Sequence, residues 1–91
     1  MIRRRVLVHG HVQGVFFRDT TRRLAVERGV AGWVRNRRDG TVEAEIEGAS
    51  DKVDEMLAWM AEGPPGSRVE SATVTDASPL GDHGFEVRPT A

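Results

Sequence analysis

The chemistry this chain could do is concentrated in one stretch, Gly10-His11-Val12-Gln13-Gly14-Val15-Phe16-Phe17-Arg18. No Asp, Glu, Lys or Tyr lies between Gly10 and Arg18. Such a loop has mainly its backbone to offer. Glycine allows a tight turn and a close approach of a ligand to the main chain. The first N–H groups of a helix have no partner within it and attract anions. Arg18 adds a permanently charged fork suited to an oxyanion. By residue type alone, the stretch is either a bare strand-to-helix turn or an oxyanion cradle, with phosphate the leading candidate. It lacks the Gly-x-x-x-x-Gly-Lys-Ser/Thr of a nucleotide P-loop and the Gly-x-Gly-x-x-Gly of a dinucleotide site.

A second group is Gly32-Trp33-Val34-Arg35-Asn36, followed by Gly40, Val42 and Gly48. Asparagine is a poor strand former, so Asn36 at the end of a strand-like run calls for a reason. Either it borders a hairpin turn and nothing more, or its amide works. The carbonyl could hold a water while the NH₂ touches an oxyanion.

The elements that must position these residues follow from periodicity. Residues 2–9 read as a strand whose run Val6-Leu7-Val8 suits burial on both faces. Residues 17–28 read as a helix with Phe17, Thr21, Leu24, Ala25 and Arg28 along one stripe, closed by Gly29. Strands over 31–37 and 41–48 flank Asp39-Gly40, a hairpin signal in which both turn residues would take positive φ. In the return strand, Val42, Ala44 and Ile46 face a covered side, and Glu43, Glu45 and Glu47 face a wet one. Ser50 as N-cap starts a second helix ending near Glu62, with a core stripe of Val53, Met56, Leu57 and Met60. A strand over 68–76, with Ala72 and Val74 on one face, and a short strand over 85–88 complete the chain. The order β-α-β-β-α-β predicts an α+β, ferredoxin-like sandwich: an antiparallel sheet, two helices on one face and a short extra C-terminal strand.

Ninety-one residues suit one domain over 1–91. A net charge of −1 creates no global field for nucleic acid or membrane. No apolar run approaches about 18 residues, so no membrane span is expected. The N-terminus lacks a signal-peptide pattern. The absence of cysteine excludes disulfides and thiolate metal sites and fits a reducing cytoplasm. His9 and His11 stand two apart without an evident third ligand, so no metal or cofactor is expected. Arg3-Arg4-Arg5 reads as a solvated strand end able to pair with the glutamate stripe. Trp33 reads as a packing anchor. RNA binding on an open sheet face is disfavoured, because the glutamates would repel phosphate and no Tyr is present to stack on bases.

The first stretch resembles the first acylphosphatase signature, Gly-x-Val-Gln-Gly-Val-x-Phe-Arg. The second group resembles the second signature of the same family, and the likeness extends to Gly63-Pro64-Pro65 and Phe85-Glu86-Val87-Arg88. This resemblance implies a ferredoxin-like enzyme that hydrolyses acyl phosphates, R–CO–O–PO₃²⁻, to a carboxylate and inorganic phosphate without metal or phosphoenzyme. By matching position it implies that Arg18 binds phosphate, that Asn36 orients the attacking water, and that backbone amides of Gln13, Gly14, Val15 and Phe16 form the cradle. A cytoplasmic monomer is expected, with a small acyl phosphate as its partner and no nucleic acid or membrane. The residues make this chemistry sensible. Phosphoryl transfer through a loose transition state asks for positioning and charge stabilisation. The leaving carboxylate has a conjugate acid of pKa about 4 and needs no proton, so a general acid can be missing. Two other readings are a phosphate-sensing module with little turnover and the acylphosphatase-like part of a large carbamoyl-phosphate-using maturation enzyme. The pairing of Arg18 with Asn36 argues against the first, and the chain's shortness against the second.

Overall fold

The computed structural model describes residues Met1–Ala91. The chain runs through β1 (Ile2–His11), α1 (Phe17–Arg28), β2 (Ala31–Asn36), β3 (Val42–Gly48), α2 (Ser50–Glu62), β4 (Arg68–Ala77) and β5 (Phe85–Val87). One five-stranded sheet has the order β4-β1-β3-β2-β5. The pairs β1·β3, β1·β4 and β2·β3 are antiparallel, as expected. The fifth strand makes the sheet mixed, because β5 lies parallel to β2 with Phe85 opposite Gly32. The reason is topological. β4 and β5 occupy opposite edges, so the segment between them must cross a whole face of the sheet before β5 can pair.

Alternation in the strands and the apolar stripe of each helix converge on one core. Val6, Val8, Val34, Val42, Ala44 and Ile46 point from the sheet toward Phe17 and Ala25 of α1 and Val53, Met56 and Met60 of α2. Leu24 and Leu57 only partly enter it. Phe17 also meets Trp59 with ring centroids 5.3 Å apart, which ties the two helices at the end nearest the β1–α1 loop.

Strand β1 runs two residues past the expected boundary. Its register against β4 slips between His9 and Gly10. Gly10 has φ 132°, and a Cβ there would lie 2.0 Å from the Arg68 carbonyl oxygen, so only glycine passes this close.

The expected wet face is a correction. Glu43 and Glu47 are 3% and 1% exposed, and Arg3 is 2% exposed. Register explains the pairing: Arg3 stands opposite Glu47 and Arg5 opposite Glu45, while Arg35 of β2 stands opposite Glu43 from the other side. Arg3 Nε bonds Glu45 at 2.7 Å, and its Nη1 lies 3.3 Å from Glu47. Arg5 and Arg35 both donate to Glu43, the latter at 2.6 Å. The segment crossing from β4 to β5 completes the cover. The N–H groups of Leu80 and Asp82 donate to the two Glu47 oxygens at 2.6 and 3.0 Å. Arg3 is therefore not part of a solvated strand end. Period-two alternation separates two faces but does not say what covers the polar one.

Three smaller differences have local causes. The hairpin places only Gly40 at positive φ, 92°. Arg37 N–H bonds the Thr41 carbonyl, and Asp39 accepts from Thr41 N–H and Oγ1, so a longer loop replaces the two-residue turn. Ser50 is the first residue of α2 and not its cap; Ala49 holds the cap position without a side-chain bond. Val74 is 44% exposed: it lies on the edge strand β4, which α2 touches without covering this residue.

Candidate active site

The loop after β1 delivers its backbone to one place. Gly14 turns the chain at φ 73°. Phe16, immediately before α1, sits in the left-handed region at φ 61° and ψ 19°, and no side chain caps the helix. None of the main-chain N–H groups from Gln13 to Asp19 donates to a main-chain carbonyl; the first in α1 to do so is Thr20, to Phe16 O at 3.0 Å. A run of free N–H groups at the positive end of a helix is an anion site in waiting.

Two side chains supply the rest. Arg18 is the second residue of α1, and Asn36 ends β2. Arg18 Nε and Asn36 Oδ1 are buried and have no hydrogen-bond partner within the protein. Such atoms are rare in folded proteins because each costs its lost hydration. Both residues line one cleft of about 220 Å³, together with Val12, Gln13, Gly14, Phe16, Phe17 and Asp19. The Val15 side chain turns from the cleft and packs partly buried against the core, while its main-chain N–H stays among the free groups of the loop.

The Gln13 side chain has a position of its own. Its Nε2 donates to the carbonyls of Arg37 at 2.7 Å and Thr41 at 2.9 Å. This clamp fastens the loop to the β2–β3 hairpin, one residue beyond Asn36. From the other side, the Asn36 carbonyl accepts from Ala91 N–H at 3.0 Å, and Arg38 N–H donates to Ala91 O at 2.8 Å. The strand end carrying Asn36 is therefore held on both flanks.

The histidines and Trp33 lie elsewhere. His9 is half-buried with Nδ1 unpartnered, and His11 is exposed. No three His, Asp or Glu side chains gather as a metal-ligand group. Trp33 carries the guanidinium groups of Arg35 and Arg88 over its ring, 4.9 and 4.7 Å from the centroid.

Comparison with known proteins decides the family. The acylphosphatase family model matches residues 4–87. The chain belongs to the acylphosphatase family. An acylphosphatase of Rubrobacter xylanophilus is 55% identical over 85 residues, covering 92% of this chain and 77% of that one. An acylphosphatase of an Acidovorax species is 47% identical over 89 residues, covering 98% and 92%. The crystal structure of acylphosphatase from Bacillus subtilis superposes with TM-score 0.92 at 38% identity, covering 97% of this chain and 99% of that one. The protein is thus an enzyme of the acylphosphatase kind, with an acyl phosphate as substrate and inorganic phosphate as product.

Within this acylphosphatase fold, two cleft features were missed by sequence reasoning. Asp19 lines the cleft, although its spacing reads only as the polar face of α1. Its place directly after Arg18 was the available signal. The sequence assigns Gln13 a part through its backbone N–H alone, whereas its side chain forms the clamp. The signal there was chemical, since it is the one side chain in the loop with two amide donors.

Proposed function

We propose that the β1–α1 loop and Arg18 hold the phosphoryl group of an acyl phosphate while Asn36 orients the attacking water. The observation that carries this reading is the pair of unpartnered buried atoms, Arg18 Nε and Asn36 Oδ1, on one cleft beside the loop's free N–H groups. A donor without an acceptor and an acceptor without a donor suit an oxyanion and a water side by side.

In this scheme the N–H groups of Gln13, Gly14, Val15 and Phe16, with the Arg18 guanidinium, bind the phosphoryl oxygens and stabilise charge spread over them in the transition state. Asn36 Oδ1 accepts one water hydrogen and aims the water oxygen at phosphorus. The water oxygen–phosphorus bond forms as the bond from phosphorus to the acyl oxygen breaks. The carboxylate leaves with that electron pair, and the water proton passes to a phosphoryl oxygen. Asp19 is the lone carboxylate on the cleft, and no step requires it as an acid. The scheme uses no metal and no cofactor.

The reading extends to one domain over residues 1–91 acting as a cytoplasmic monomer without a nucleic-acid partner. One buried cluster of fourteen side chains supports the single unit. No helix is long and apolar enough to cross a membrane. Against RNA binding stands the sheet face opposite the helices, where Arg–Glu pairs and the 78–84 segment cover the strands and Trp33 is only 6% exposed.

The test is turnover of benzoyl and acetyl phosphate by purified protein in EDTA. Hydrolysis of both, well above the spontaneous rate, is expected. No acceleration would remove the hydrolytic scheme and leave a phosphate-binding module; activity that vanished with EDTA would remove its metal-free form.

A further inference from the structure

We infer that Phe16 is the acyl-side specificity residue, a hydrophobic platform at the cleft mouth that favours acyl phosphates with aromatic or bulky apolar acyl groups. The inference rests on the hydrolytic reading above and names the substrate class for that site.

Phe16 is placed at odds with folding in two ways. It is the only non-glycine residue with positive φ. A bulky side chain in the left-handed region is strained, and such strain gathers at functional sites. It is also 76% exposed, so its ring gains almost nothing from the core. Glycine would relieve the first cost and a polar residue the second. A local choice that opposes the fold points to a ligand.

The cleft says which part of the ligand. Three apolar residues line it, Val12, Phe16 and Phe17. Val12 and Phe17 are each 1% exposed and form its floor, whereas Phe16 alone presents apolar surface to solvent. The free N–H groups and Arg18 are suited to the phosphoryl group, which is fully polar. A cleft of about 220 Å³ with a closed floor leaves the acyl group at the mouth. There the one uncovered apolar surface is the Phe16 ring, which can cover a flat acyl group by offset or edge contact. Acetyl has little surface to cover, and benzoyl has much more.

The experiment compares kcat/KM for benzoyl and acetyl phosphate in the wild type, Phe16→Ala and Phe16→Tyr. The difference in intrinsic reactivity between the two substrates cancels when their ratio is compared across variants. A partly exposed apolar contact predicts a fall of about tenfold in the benzoyl-to-acetyl ratio for Phe16→Ala, mostly through KM for benzoyl phosphate, and a change below about twofold for Phe16→Tyr. Inhibition by inorganic phosphate, which has no acyl group, should move less than KM for benzoyl phosphate. Phe16→Gly, which suits the backbone at φ 61°, gives the same readout if the alanine variant folds poorly. An unchanged ratio in the alanine or glycine variant overturns the inference, as does a phosphate inhibition constant that rises in parallel with KM, since Phe16 would then act only through loop geometry. A wild type that hydrolyses both substrates while the ratio stays fixed removes the specificity role alone; a wild type that hydrolyses neither removes the hydrolytic reading as well.

Discussion

The Gln13 side-chain amide donates to the Arg37 carbonyl at 2.7 Å, joining the β1–α1 loop to the residue that follows Asn36. The same nitrogen reaches Thr41 O at 2.9 Å across the hairpin. The loop and the strand end that carry the two halves of the cleft are thus set at a fixed spacing by one side chain.

Gln13→Ala should loosen that spacing. Two hydrogen bonds are lost, while Arg37 O keeps Gly40 N–H and Thr41 O keeps Arg37 N–H as donors, so the cost to stability is about 1 kcal/mol. The expected kinetic loss in kcat/KM is about ten- to a hundredfold, the scale of small misplacements in a preorganised site. Urea unfolding and acyl phosphate kinetics on the same preparation check both. Wild-type kinetics in a destabilised variant would show that the clamp serves the fold alone.

Arg18→Ala and Asn36→Ala should fail in different ways. Loss of Arg18 removes charge that acts on both bound phosphate and the transition state, so kcat/KM should drop about 10²- to 10³-fold and inhibition by phosphate should weaken strongly. Loss of Asn36 should lower kcat while phosphate inhibition stays within about threefold. Inhibition constants for inorganic phosphate separate the two. Equal loss of phosphate affinity in both variants would contradict a water-orienting Asn36.

Asp19→Asn should tighten binding. Its carboxylate lines a cleft assigned to an anion, so removing it removes a repulsion. At low salt KM should fall about two- to fivefold, and the difference should shrink near 0.5 M salt, roughly where the Debye length drops below the size of the cleft. KM measured across a salt series is the check, and a rise in KM on neutralising Asp19 would show a positive role for the carboxylate.

Acid should unfold this protein through its buried glutamates. Burial alone would raise the Glu43 carboxyl, but hydrogen bonds from Arg35 and Arg5 hold it below the ordinary carboxylate value. The Leu80 N–H, followed by that of Asp82 and the Arg3 guanidinium, holds Glu47 below it against the opposing effect of burial. A depressed carboxyl contributes stability that is complete above its unfolded value, about 4.3, and is lost as pH falls through the folded value. The urea midpoint should therefore show no loss from these groups between about pH 7 and 5 and should drop below about pH 4. Glu43→Gln should be less stable at neutral pH and show a shallower acid drop. An acid slope identical to wild type would place the effect on other carboxylates.

Much of the fold was legible because it is written locally. The helix stripes and the alternation of β3 depend on residues a few positions apart. The burial of Glu43 and Glu47 was not legible. It needs Arg3 and Arg5 from one neighbouring strand, Arg35 from the other and the 78–84 segment from above, all brought in by register. The parallel pairing of β5 was hidden for the same reason, since a three-residue strand carries no mark of its direction.

The sequence by itself determined the chemistry on offer: a glycine-turned loop with free N–H groups, the Arg18 charge and the Asn36 amide. These are properties of residue type and short spacing. Only the tertiary structure decided that Arg18 and Asn36 face one cleft, that the Val15 side chain turns to the core, that Gln13 fastens the cleft's two sides, and that Phe16 stands exposed in a strained conformation at its mouth. Each of these depends on contacts between distant segments or on a backbone angle imposed by them, and no local pattern encodes either.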